Sequence, residues 1–208
     1  MSDSRAGMLD RVARAIADSP SPRGAVRRYR RTGSLDAEAR CALFVDRVGE
    51  YRADVRRIAR QEIAEVVESI GARRLVVAAG VPGSWRPTGI ELVEDTGLTP
   101  EELDRVDGAL TGCTVAIAET GTIVLTAQPH EGRRALTLVP DLHICIVDES
   151  QICELVPEAL ELIGKRGLQH RPITFISGPS ATSDIELSRV EGVHGPRNLV
   201  VLITKEAT

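Results

Sequence analysis

The sequence predicts an α/β protein: a mostly parallel sheet with helices on both faces, preceded by a helical N-terminal extension. Three observations carry that expectation. From residue 74 onward, short β-branched apolar runs are separated by helix-like segments, the alternation of parallel strands with their crossovers. Residues 1–70 instead space their apolar side chains mostly three and four apart, as helices do. The chain has only one Trp, two Tyr and two Phe, so its core must be built from Val, Ile, Leu and Ala.

The elements follow in order. Met8, Leu9, Val12, Ala15 and Ile16 form one helical stripe, and the prolines of Ser19-Pro20-Ser21-Pro22 stop that helix. A basic stretch, Arg27-Arg28-Tyr29-Arg30-Arg31, reads as solvated surface. Residues 1–39 are thus expected to be a basic helical extension, and residues 40–208 a single α/β domain. Ser34 is placed to cap a helix starting near Leu35. Phe44, Val48, Tyr51, Val55, Ile58, Ile63, Val66, Val67 and Ile70 then predict a helix over 41–70. Unbroken, it would be about 45 Å long at 1.5 Å per residue, so a bend near Gly49 or an excursion toward a partner is expected. Strands are predicted at Arg74–Ala79, Ile90–Glu94, Leu142–Asp148, Ile173–Ser177 and Leu199–Thr204. Thr99 and Pro100 open a helix expected to reach Leu110, and a second helix is expected over Glu149–Lys165. Thr114–Ala118 and Gly121–Thr126 flank Glu119-Thr120, a junction that reads as a hairpin or a bulged bend, and one antiparallel insertion in the sheet is expected.

Composition excludes several function classes. A length of 208 residues suits one domain with a real core. So few aromatics leave no stacking platform for single-stranded nucleic acid, and nucleic acid is not expected as a partner. The longest uncharged stretch is Pro172–Ser183, far short of the ~20 apolar residues of a membrane span. The N-terminus mixes charges without an apolar run, so a cytoplasmic location is expected. Cys41, Cys113, Cys145 and Cys153 contain no C-x-x-C pair, so neither a zinc ribbon nor an iron–sulfur cluster is expected in this chain. The net charge of −4 hides a split: residues 1–74 carry 16 Arg against 11 acids, and residues 75–208 carry 10 basic residues against 19 acids.

In open α/β sheets ligands sit beyond the carboxyl ends of the strands, and four such stretches could carry chemistry. The turn Gly80-Val81-Pro82-Gly83 could bring backbone N–H groups to an anion through Gly80 and Gly83. Glu119-Thr120-Gly121-Thr122 places a carboxylate, a candidate base or nucleophile, beside two hydroxyls and a glycine. The loop 128–134 offers His130, Glu131 and Arg133, whose guanidinium could grip a carboxylate or phosphate. Ser177-Gly178-Pro179-Ser180-Ala181-Thr182-Ser183 ends a strand and precedes Glu186, which is spaced from Ser183 as in a capping box. Ser177, Gly178, Ser180, Thr182 and Ser183 are therefore candidate anion-binding residues. His194, fixed between Gly192 and Pro196, is the second candidate catalytic residue beside Glu119. Asp141, His143 and Cys145 alternate on one strand face, but His143 and Cys145 read more simply as core residues, and no metal is assigned.

AETGTIVL (118–125), VPDLHICIV (139–147), ISGPSATSDIE (176–186) and GVHGP (192–196), in this order, resemble the lactate utilisation protein C family, the LUD domain, over roughly residues 40–204. The resemblance implies a NagB/RpiA/CoA-transferase-like fold. It also implies a role in bacterial oxidation of L-lactate to pyruvate beside iron–sulfur lactate-utilisation proteins, with no cofactor in this subunit. CoA transferases of that fold use a glutamate before a small-residue turn, to which Glu119-Thr120-Gly121 is loosely similar; sugar-phosphate isomerases grip phosphate with turns like 177–183. The expected function is that of a non-redox subunit holding a small anionic ligand in a cleft formed by the 80–84, 119–122, 177–183 and 192–196 stretches. The alternatives are a stand-alone enzyme on a phosphorylated or CoA-linked small molecule, and a partner-docking assembly protein.

Overall fold

The computed structural model describes residues 3–17, 28–179 and 195–205. Two sheets stacked face to face organise the body. The larger contains β1 (Asp54–Ala59), β2 (Arg74–Val77), β3 (Glu91–Glu94), β4 (Gly108–Thr111), β7 (Leu142–Asp148) and β10 (Asn198–Lys205). Its order is β1-β10-β7-β4-β2-β3, and every neighbouring pair is parallel. The smaller has β5 (Val115–Ile117), β6 (Thr122–Leu125), β8 (Ile152–Cys153) and β9 (Thr174–Ile176) in the order β8-β5-β6-β9. There β5–β6 and β6–β9 are antiparallel and β5–β8 is parallel.

Strand alternation divides the core. On one face of the large sheet Ile144, Ile146, Val200 and Leu202 meet Ile63 and Val67 of α3 (Ile63–Ser69). On the other face Cys145, Val147, Leu199, Val201 and Ile203 meet the small sheet through Ala116, Ile123 and Ile152. They also meet Cys41, Phe44 and Val48 of α2 (Ala37–Glu50), spaced three and four apart on one helical stripe. The outer face of the small sheet, Val115, Ile117 and Val124, is covered by Ala159 and Ile163 of α5 (Val156–Lys165). The mostly parallel α/β sheet is as expected. Its second face, however, is filled jointly by a helix and a second sheet rather than by helices alone, because the hairpin and its two added strands bury an apolar face of their own.

Three helix predictions are corrected. The segment 41–70 is not one bent helix: α2 ends at Glu50, β1 follows, and α3 comes after a 3-10 turn at Arg60–Glu62. Tyr51, Val55 and Ile58 satisfy a helical spacing by coincidence, while the segment's real partner is β10, in register from Asp54 with Val200 to Ala59 with Lys205. The cap of α2 is Asp36, whose Oδ1 accepts from Ala39 N at 2.8 Å, rather than Ser34. The helix opened by Thr99 and Pro100 does carry that cap but is only α4 (Pro100–Leu103), since Gly108–Thr111 is strand β4. Glu149–Lys165 is likewise a 3-10 turn, then β8, then α5. β7 has the bounds expected, and the 115–125 hairpin is antiparallel. The helix α1 (Asp3–Ile16) leaves Met8, Leu9, Val12 and Ile16 exposed.

Candidate functional site

The chain leaves the carboxyl end of β4, runs along β5, turns at 118–121 and returns along β6. The Glu119 turn and the carboxyl ends of the large sheet therefore lie at opposite ends of the hairpin. α5 runs back beside it: its first turn sits by Glu154 and Glu158, and Arg166 Nη1, just past its end, donates to Thr114 O at 3.4 Å. A ten-residue helix measures about 15 Å, which sets the distance between the two ends. The sequence-predicted residues thus fall into two groups.

At the Glu119 end, Thr120 Oγ1 and Thr122 Oγ1 are 2.7 Å apart, and Thr122 Oγ1 is again 2.7 Å from Ser177 Oγ. A line of hydroxyls therefore joins the hairpin turn to the end of β9. Gly121 (φ +57°) could carry no side chain, because a Cβ would lie 2.8 Å from the Arg47 carbonyl carbon in the last turn of α2. Gly178 (φ +95°) is confined in the same way by Tyr51, whose Cβ would stand 2.7 Å away. Gly195 faces the Pro179 carbonyl, where an added Cβ would stand 3.3 Å from the oxygen, so the two flanks of 180–194 meet here. Ser180, Thr182, Ser183 and His194 lie outside the described residues.

The Glu119 carboxylate is exposed and ion-paired with Arg30. Arg30 also stands 3.7 Å from Glu154, which is buried and accepts hydrogen bonds from the backbone N–H groups of Ser34 (2.6 Å) and Leu35 (2.7 Å). Glu119 N donates to Glu154 O at 3.0 Å, so the turn and the strap at 30–35 share one anchor. Glu158 adds to it, accepting from Gly33 N at 2.9 Å and from Glu154 N and Leu155 N. Burial raises the Glu158 carboxyl, but these three backbone donors outweigh burial and hold it below the ordinary carboxylate range. The sequence does not single out Arg30, which stands in a basic run, or Glu154, which stands inside an expected helix. Pro157 was the available signal, because proline in the first helical turn marks the start of α5 and places Glu154 outside it.

The second group lies at the carboxyl ends of β2 and β4. The chain places β3 on one side of β2 and β4 on the other, so this is the sheet's topological switch point. Gly80 N donates to Pro129 O at 3.0 Å, and a Cβ on Gly80 would come within 2.5 Å of Pro129. His130 packs against Gly112 with Nε2 3.3 Å from Cys113 O. Glu131 is buried and staples the loop, accepting from Thr114 Oγ1 (2.6 Å), Thr126 N (2.7 Å) and Gln128 N (2.9 Å). Arg133 is engaged by Asp95 through two hydrogen bonds of 2.8 and 3.0 Å, so its fork already holds a carboxylate. Gly83 starts an open 3-10 turn. The two groups do not form one cleft.

Asp141 is exposed and 3.5 Å from Arg197, whereas His143 and Cys145 are buried. Burial pushes the His143 imidazole down to about 4, so it is neutral at physiological pH. Its Nε2 lies 2.8 Å from Thr111 Oγ1. Among the described residues no three His, Cys, Asp or Glu side chains stand close enough to share a metal ion, and no helix is long and apolar enough to cross a membrane.

The LUD domain model matches residues 90–204, which include both strands of the hairpin, β4 and the 128–134 loop, but not β2 or the Gly80 turn. A lactate utilization protein C of Deinococcus radiodurans is 44% identical over 199 residues, 94% of this chain and 93% of its own. The chain belongs to the LUD-domain family of lactate utilization protein C. A further family member, from Geobacillus kaustophilus, is 36% identical over 96 residues, 40% of its length. A crystal structure of a DUF162 family protein from Deinococcus radiodurans superposes on this LUD-domain chain with a TM-score of 0.73 at 39% identity, covering 82% of this chain and 99% of that one.

Proposed function

We propose that this LUD-domain chain serves lactate utilisation as a subunit without a redox centre of its own, working beside iron–sulfur partner proteins. The observation that carries the reading is the 44% identity to a lactate utilization protein C along nearly the whole of both chains. The Glu119 end supplies chemistry suited to a small carboxylate. Thr120, Thr122 and Ser177 present hydroxyls that can donate to an anion, Arg30 supplies a guanidinium, and Glu119 can accept or return a proton. His194 is the second candidate on this reading, with Ser180, Thr182 and Ser183 as further anion ligands. Gly80, Gly83, His130 and Arg133 belong to the opposite end; Arg133's bond to Asp95 favours a structural part for it. The test is removal of the gene, followed by growth on L-lactate as sole carbon source and complementation. Growth should fail and be restored by the natural chain but not by Glu119→Gln. Undiminished growth of the deletion strain would overturn the role, and full rescue by Glu119→Gln would remove Glu119 from it.

A further inference from the structure

Beside Glu119 a groove of about 780 Å³ runs along the first turns of α5. Its floor is apolar: Leu155, Val156, Pro157 and the half-exposed Leu160. Tyr29, Arg30 and Arg31 wall it from the strap, and Glu119 and Glu161 complete the lining. A volume between 300 and 1,000 Å³, mostly apolar with a few converging polar groups, is the usual form of a small-molecule site.

Lactate does not fill it. Even at the ~30 Å³ that a whole water molecule takes in the liquid, a six-heavy-atom anion would occupy at most about 180 Å³, less than a quarter of the groove. It also has no chain to lay on Leu155, Pro157 and Leu160. The charges narrow the choice further. Arg30 is already paired with Glu119, whereas Arg31 lies over the Tyr29 ring, 5.6 Å from its centroid, and its hydrogen bond goes to the tyrosine hydroxyl rather than to a carboxylate. Glu161 is paired with Lys165 at 2.7 Å, so its charge is met from outside the groove, and a single negative charge can settle on Arg31 whereas a dianion would find no second open guanidinium.

We propose that this groove binds a monocarboxylate carrying an extended apolar chain, its head on Arg31 and its chain along Leu155, Pro157 and Leu160. The site shares Glu119 with the lactate role proposed above but does not depend on it, since binding is read directly.

Calorimetric titration of the full chain with decanoate, decanol and lactate tests the assignment. Decanoate should bind about tenfold tighter than lactate or more, and tighter than decanol. Leu160→Asp, a change on the exposed face of α5, should weaken decanoate about tenfold, and Arg31→Gln should weaken it several-fold while leaving decanol unaffected. Thermal melts confirm that both variants fold. Equal affinity for decanoate and lactate, or decanoate binding unchanged in both variants, would overturn the proposal. Either result leaves the growth experiment on L-lactate untouched, so the two readings fail separately.

Discussion

The hydroxyl of Thr122 lies 2.7 Å from that of Ser177, tying the first residue of β6 to the residue that follows β9. Thr122 is buried and also meets Thr120 Oγ1 at 2.7 Å, so one side chain holds together the hairpin turn and the flank of the 180–194 segment. Thr122→Val keeps the shape and removes both links. The variant should lose about 1–2 kcal/mol in urea unfolding, as expected when buried hydrogen-bonding groups are left without a partner. On the proposed function it should also fail to restore growth on lactate. Stability equal to that of the natural chain would show that the hydroxyl line contributes nothing to the fold.

Glu154 fastens the strap through Ser34 and Leu35 and steadies Arg30 over Glu119. Glu154→Gln retains an acceptor but removes the charge, so the charge-assisted bonds weaken by roughly half. Trypsin should then cleave after Arg30 and Arg31 several times faster than in the natural chain, with the rest of the body equally resistant. Mass mapping of the early fragments reads this, and an unchanged cleavage rate would count against the anchor.

Gly121 has φ +57° and would place a Cβ 2.8 Å from backbone in the last turn of α2. Gly121→Ala therefore incurs both left-handed strain and a backbone clash, each of order 1–3 kcal/mol. The expected result is a fall of several kcal/mol in urea unfolding and loss of the Thr122 to Ser177 alignment. Gly83→Ala, at an open position, should stay within about 0.5 kcal/mol of the natural chain and serves as the control.

Much of this architecture can be read from residue pattern, and the failures share a cause. β7 is an apolar run interrupted only by His143, flanked by strands on both edges and packed on both faces, so LHICIV is legible by itself. β1 is an edge strand with Arg56 and Arg57 in it, and its apolar residues fit a helix as well as a strand; only its pairing with β10, some 145 residues later in the chain, decides. Of the candidate residues, Glu119, Thr120, Thr122 and Ser177 stand out one by one in the sequence, Arg30 and Glu154 do not, and their grouping is not local at all. That Glu119 and Ser177 share one end while Gly80 and His130 share the other depends on the direction of each strand. No local pattern in Ala116-Ile117-Ala118 says that β5 carries Glu119 away from the switch point rather than toward it.

The buried imidazole of His143 gives the fold a pH dependence whose sign is fixed by its surroundings. Its Nε2 is satisfied by Thr111, while Nδ1 is buried with no hydrogen-bond partner among the described residues. Burial lowers the group from 6.5 to about 4. Above pH 6.5 the ring is neutral folded and unfolded, and it adds no pH dependence. Between 6.5 and 4 the unfolded chain binds a proton that the folded chain refuses, so stability falls as pH falls, by about 3 kcal/mol in all. Below 4 both states are protonated and this group takes nothing further. The carboxylates that the fold holds low, among them Glu158, Asp95 and Asp148, start from 4.5 or 3.8, so their losses come in at lower pH and leave the upper part of the window to His143. Asp95 is raised by burial but lowered further by Arg133 and the N–H groups of Leu98 and Gly97. Urea unfolding followed by circular dichroism from pH 7.5 to 4.5 should show this decline in the natural chain. His143→Gln, which keeps a hydrogen-bonding group for Thr111 but cannot titrate, should flatten the curve between 6.5 and 4.5 by roughly 1.4 kcal/mol per pH unit. An identical slope in the variant would place the acid sensitivity elsewhere in the molecule.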